Sequence, residues 1–194
     1  FQEEYMEQVQ KQSYSKCCRY VIDKKDEIIE VGDNWDRFAR ANHGENILAE
    51  NTLNRQLWDF IAGDETRMIY RNLIHKVRSE NIVMQFPFRC DGLACRRFMQ
   101  MRIRALANSA LEFFSCIETE EPRQTLRLLD PQEKRNEDLL VVCSWCKDIK
   151  CDDEWLPADK AVRRLDLFGF VRLPTISHGI CPACETAMEK RLAC

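Results

Sequence analysis

The stretch Ile82-Val-Met-Gln-Phe-Pro-Phe-Arg-Cys90, a turn at Asp91-Gly92, and Cys95-Arg-Arg-Phe-Met-Gln-Met-Arg-Ile-Arg-Ala-Leu106 read as two strands of a sheet. In the first run Ile82, Met84, Phe86, Phe88 and Cys90 recur every second residue and share one face, the period of a strand. Pro87 falls on the other face, where an edge or bulge tolerates a residue without an N–H. The second run puts Met99, Met101, Ile103 and Ala105 on one face and mostly Arg96, Gln100, Arg102 and Arg104 on the other. Asn108-Ser109 turns the chain again, and Leu111–Ile117 alternates as a third strand.

Upstream, Tyr20-Val-Ile-Asp23 and Ile28-Ile-Glu-Val31 flank the charged turn Lys24–Glu27 as a hairpin. Asp33 and Asn34 then cap a helix over Trp35–Ala41, which Gly44 ends. Leu57–Arg78 is a short turn and, after Gly63-Asp64, a longer helix with Met68, Ile69, Leu73, Ile74 and Val77 on one side. Residues 1–16 carry Phe1, Tyr5, Met6 and Val9 among Gln, Glu and Lys, the pattern of a short amphipathic helix that needs a partner surface to persist. The order is two strands, helices, three strands.

That order, with Arg89-Cys-Asp-Gly92 leading to Arg96-Arg-Phe-Met99 and a Glu120-Glu-Pro-Arg123 exit, resembles a PAS domain over about residues 15–121. The resemblance implies an α+β fold: a five-stranded antiparallel sheet with its helices on one face and a cavity between them. It places Met84, Phe86, Phe88, Met99, Met101 and Phe113 at that cavity, either as a packed core or as the lining of a ligand pocket whose ligand the residues do not specify. Strict alternation adds Arg97 to the same face. A buried guanidinium needs a carboxylate, phosphate or carbonyl, so Arg97 calls for Asp91, another protein acid or an anionic ligand. His75 lies where some PAS domains ligate haem, but its helical phase equally suits the polar edge beside Lys76 and Arg78. The Asn-Cys-Arg-Phe-Leu-Gln-type motif of the light-sensing flavin branch is not found.

Two cysteine pairs, Cys143-Ser-Trp-Cys146 and Cys181-Pro-Ala-Cys184, offer four thiolates to one tetrahedral ion, the signature of a structural zinc site. Residues 147–180 between them exceed the common short spacing, so this segment carries structure of its own, with a helix-like run inside Glu154–Phe170. Neither pair is followed by His, against covalent haem, and two pairs suit a thioredoxin-type dithiol poorly. Disulfides are the competing use, with eleven cysteines in the chain. The first pair follows the apolar strand Leu139-Leu-Val-Val142. The second precedes the helical run Glu185–Leu192, with Pro182 in its first turn, giving a treble-clef or ribbon-like module. His178 is placed to hydrogen-bond a coordinated sulfur or to replace one cysteine as a ligand, Cys151 is a spare ligand type, and Trp145 and Trp155 pack around the site because so small a module lacks a full core. The tail through Ser177-His-Gly-Ile-Cys-Pro-Ala-Cys184 also resembles the cysteine-rich modules that end some bacterial signalling proteins.

The domain plan is an N-terminal helix (1–16), a PAS-like domain (17–121), a linker (122–140) around Leu126, Leu128, Leu129 and the helix-breaking Pro131, and a zinc module (141–194). At 194 residues with 45% apolar content, a sizeable core can be buried. The net charge of −3 and the balanced Lys/Arg and Asp/Glu after Cys143 give no pull toward nucleic acid or anionic membrane. No apolar run reaches the length of a membrane helix. Starting at Phe1, the chain suits a piece of something longer. No kinase, cyclase or phosphodiesterase motif is visible, and six glycines leave little material for a phosphate loop. The expectation is a cytoplasmic, non-enzymatic signalling protein: a PAS sensor or dimerisation domain, homodimeric through that domain, joined to a zinc module that docks a protein partner. The alternatives are a transcription-associated zinc protein that binds nucleic acid and a redox sensor using Cys151, Cys181 or the Cys17-Cys18 pair, whose adjacency is otherwise chance.

Overall fold

The computed structural model describes residues 16–130 and 132–193. The amphipathic stretch 1–16, but for Lys16, and Pro131 therefore lie outside the described residues. The chain divides into two compact units, one of Phe1–Phe60, Ile74–Pro87 and Met99–Thr119, the other of Ile61–Leu73, Phe88–Phe98 and Glu120–Cys194.

A five-stranded sheet runs in the order β2-β1-β5-β4-β3, with β1 Cys17–Ile22, β2 Ile28–Val31, β3 Val83–Arg89, β4 Cys95–Ala105 and β5 Leu111–Pro122. The helices fall between β2 and β3: α1 Trp35–Ala41, the single turn α2 Ala49–Thr52, and α3 Asp64–Glu80. The fold is α+β with the antiparallel sheet that the PAS resemblance implied. Strand alternation appears directly in burial. Met84 and Phe86 of β3 and Met99, Met101 and Ile103 of β4 are buried, whereas Val83, Gln85 and Pro87 are exposed on an edge strand. Across β1 and β5, Tyr20 pairs with Phe113, and their rings stack at 4.6 Å while Trp35 meets Tyr20 edge-on. At the other sheet edge, residues 54–57 cover β2 through Asn54 N–H to Ile28 C=O, Ile28 N–H to Arg55 C=O and a Glu27–Gln56 bridge.

The opposite face of this unit holds a chain of ion pairs. Glu112 of β5 accepts from Arg19 of β1 at 2.7 Å and from Arg104 of β4, and Arg19 also reaches Glu30 of β2. The Arg104 hydrogen bond, ahead of the Arg19 bond, holds the Glu112 carboxyl down at about 2 against the desolvation that opposes it.

Three expectations change here. Met68 is 50% exposed, because at about 100° per residue it sits off the arc of Ile69, Leu73, Ile74 and Val77, all of which are buried. Cys17 is bonded to Cys116, its direct cross-strand partner, so the Cys17-Cys18 adjacency hides a pairing that only the β1–β5 register supplies. The stretch read as a linker is also partly structural: Leu126 and Leu128 are buried in the second unit's core, and the next strand begins within it at Arg135.

That second unit has a four-stranded sheet ordered β8-β7-β6-β9, from β6 Arg135–Cys143, β7 Ile149–Cys151, β8 Glu154–Leu156 and β9 Leu173–Gly179, with helices α4 Ala158–Arg164 and α5 Pro182–Ala193. β6 and β9 run parallel, Val142 opposite His178 and Cys143 opposite Gly179. A parallel pair requires a long crossover, which the β7–β8 hairpin and α4 provide. The unit has a core of its own, Leu126, Leu128, Leu140, Val142, Ile149, Ala161, Val162 and Leu173 among it, and is more than the coreless ribbon expected.

Candidate metal centre

The parallel register assembles the site. Because β6 and β9 end side by side at Cys143 and Gly179, the turn after β6 and the start of α5 leave the sheet at the same end. One carries Cys143 and Cys146, the other Cys181 and Cys184. The four Sγ atoms lie within 4.8 Å of one another, with Cys146 Sγ and Cys181 Sγ 3.7 Å apart. A disulfide would bring two sulfurs to about 2.05 Å. The edge of a tetrahedron of thiolates around a metal with bonds of about 2.3 Å is roughly 3.8 Å, so this separation fits metal ligation.

Local backbone geometry aims the sulfurs. In the first turn Cys143 N–H donates to Asp148 C=O at 2.8 Å, and Lys147 N–H donates to Cys143 C=O at 3.0 Å with Lys147 left-handed at φ 61°. Ser144 N–H donates to Gly179 C=O at 2.9 Å, fastening that turn to the end of β9. Pro182 opens α5, where its missing N–H leaves no bond unmade, and Glu185 N–H closes the first turn on Cys181 C=O at 3.0 Å. The Cys181 backbone N–H points at Cys143 Sγ, 3.4 Å away. Hydrogen bonds from the Cys146 and Cys184 thiols, and then from backbone amides, lower Cys143 far below an ordinary thiol, while the same sharing raises Cys146 and Cys184, the latter to about 12. The geometry, four Sγ atoms within reach of one another, is what suits them to share one cation.

Two segments of the second unit, α3 and the end of β3, buttress the turn. Arg89 N–H donates to Trp145 C=O at 2.7 Å, and the Thr66 and Ser144 hydroxyls meet at 2.8 Å. Trp145, 4% exposed, packs its ring 5.6 Å from that of Tyr70, whose hydroxyl burial pushes up to about 12. The Lys147 side chain folds back to Ser144 C=O at 2.8 Å, and burial lowers its ammonium. Beside them, Asp91 is held between Arg89 and Arg123, the latter at 3.0 Å and also donating to Gly92 C=O at 2.8 Å.

The other singled-out residues are distributed as follows. His178 is on β9 and is not one of the four clustered ligands; burial, then the Lys147 charge, lowers its pKa. Its carbonyl faces Gly63, φ +85°, where an added Cβ would sit 2.4 Å away. Cys151 is a buried member of the apolar core, and Trp155 is half-buried on β8. Met84, Phe86, Met99, Met101 and Phe113 are all buried, Phe88 is half-buried, and His75 is exposed on α3. Arg97 pairs with Glu120 at 3.0 Å, so a protein acid answers its charge and Asp91 serves other arginines. Sequence reasoning missed Glu120 because that pair depends on β4–β5 register, and missed the Asp91 cluster because Arg123 comes from beyond β5.

Comparison with protein-family models and with curated proteins gave no match. Solved structures of similar backbone include the photoactive yellow protein domain of the sensor histidine kinase Ppr from Rhodospirillum centenum. It is 14% identical with a TM-score of 0.40, covering 52% of this chain and 91% of that one. The PAS domain of Bordetella pertussis BvgS is 10% identical with a TM-score of 0.36, over 59% of this chain and 85% of that one. A sensory box sensor histidine kinase from Vibrio cholerae is 7% identical with a TM-score of 0.38, over 61% and 99%. At those values the likenesses bear no weight on function, and the PAS-like reading rests on strand order and helix placement. Among the described residues no helix is long and apolar enough to cross a membrane.

Proposed function

We propose that this chain is a non-enzymatic signalling protein of the bacterial type, in which a PAS-like sensor or dimerisation domain is coupled to a structural zinc module that docks a partner protein. The observation that carries the metal half is the convergence of four Sγ atoms within 4.8 Å. Thiolates select a borderline-soft ion such as zinc, and four of them close a tetrahedral shell with no position for substrate, so the metal's role is to fix the turn after β6 against α5. The PAS-like half contributes the sheet and its buried methionines and aromatics, which either form a packed core or enclose a small ligand. A cytoplasmic location suits a tetrathiolate site. In such a compartment the Cys17–Cys116 bond is open to reduction.

The test is elemental analysis with an absorption spectrum on chain purified without added metal, followed by mass spectrometry of whatever denaturation releases. One zinc per chain in a colourless sample is expected. A metal-free sample whose cysteines are all titratable or oxidised would remove the zinc module, and a Soret or flavin band would make the sheet's core a cofactor site.

A further inference from the structure

Between α4 and β9 the loop Asp166-Leu-Phe-Gly-Phe-Val-Arg172 turns only Leu167 inward; Phe168, Phe170 and Val171 are 63%, 41% and 86% exposed. Behind it opens a cavity of about 100 Å³, lined by Leu126, Leu128, Val162, Leu167, Phe168 and Leu173, with Arg127 at its wall. That volume suits one apolar side chain. Exposed Arg163 and Arg172 adjoin the lining residues Val162 and Leu173 in sequence, and neither has an ion-pair partner among the described residues, whereas Arg164 stands 3.7 Å from Glu154 and the loop's own acid is Asp166. Arg127 is already committed to Glu133 at 2.6 Å.

We infer that this loop and cavity are the docking surface of the second unit, and that the occupant is an acidic amphipathic helical segment of another protein inserting one bulky apolar side chain. The inference rests on the docking role proposed above and gives it a place and a chemistry. An aromatic rim over a side-chain-sized cavity is how a protein anchor is received, and the arginines select acidic flanks. A bilayer has no use for such a cavity.

The full chain is titrated with two synthetic amphipathic helical peptides that share a leucine stripe and differ only in Glu or Lys on the polar face. Binding is followed by fluorescence anisotropy and by methyl NMR of Leu126, Leu128 and Leu173. The Glu peptide is expected to bind roughly tenfold or more tighter than the Lys peptide, to shift those methyls, and to weaken at high salt. F168S/V171S should weaken it by a similar factor with an unchanged unfolding midpoint, and R163E/R172E should reverse the preference. Equal affinities, no binding of either peptide, shifts confined to another surface, or binding through this loop only to phosphatidylglycerol-containing vesicles would each overturn the inference. Metal content is measured on the same samples: a chain without zinc removes the zinc module itself, whereas a zinc-loaded chain that ignores the peptides removes only this surface.

Discussion

Two residues test the local physics most sharply. Gly63 combines φ +85°, which L side chains rarely adopt, with a Cβ position 2.4 Å from His178 C=O, so any side chain meets backbone that cannot swing aside. G63A should cost about 2 kcal/mol or more in urea unfolding, and a neutral result would mean that β9 does not approach Gly63 as described. Glu112 is the second. Its folded pKa, about 2, lies below the unsatisfied value of 4.5, so its contribution is complete above pH 4.5 and is lost as pH falls toward 2. With Arg104 nearly half-exposed, screening by water reduces that contribution to about 1–2 kcal/mol. Urea midpoints measured across that window should fall for the natural chain and lose this part of the slope in E112Q.

At the scale of elements, the segment between the sheets decides between a tether and a structural piece. Leu128 is 2% exposed within the second core, so L128A should destabilise by about 2–4 kcal/mol, as a buried leucine does and a linker residue would not. The apolar cluster also separates this unit from small zinc modules that fold only around their ion. Chelation should strip hydrogen-exchange protection from residues 143–147 and 181–186 while the paired amides of β6 and β9 keep much of theirs. Loss of protection across all four strands together would mean that the ion, not the leucine core, holds the sheet.

For the molecule as a whole, the Cys17–Cys116 bond closes a loop with a sequence separation of 99, spanning β1 to β5. Constraining so long a segment of the unfolded chain should stabilise by about 2–4 kcal/mol. C17A/C116A is the preferred comparison, because reductant would also act on the thiolate centre. The expected outcome is a lower unfolding midpoint with metal content unchanged, and equal midpoints would show that the bond does not form in solution.

By itself the sequence determined what depends on near neighbours. Period-two alternation marked the strands at 82–90, 95–106 and 111–117, apolar spacing marked the long helix, and two C-x-x-C spacers marked all four clustered sulfurs; Trp35–Ala41 is helical where it was read, although Asn34 makes no side-chain cap hydrogen bond. Each is a property of residues within a few positions of one another, where backbone geometry leaves few choices. Tertiary structure alone decided which strands lie side by side. The parallel β6–β9 register brought the cysteine pairs together, β1–β5 pairing gave Cys17 its partner, strand register gave Arg97 to Glu120, and burial of Leu126 and Leu128 turned a tether into core. Alternation says which face a side chain occupies but not what stands opposite it, because pairing partners are chosen by the burial and hydrogen bonding of the assembled sheet, which no local window contains.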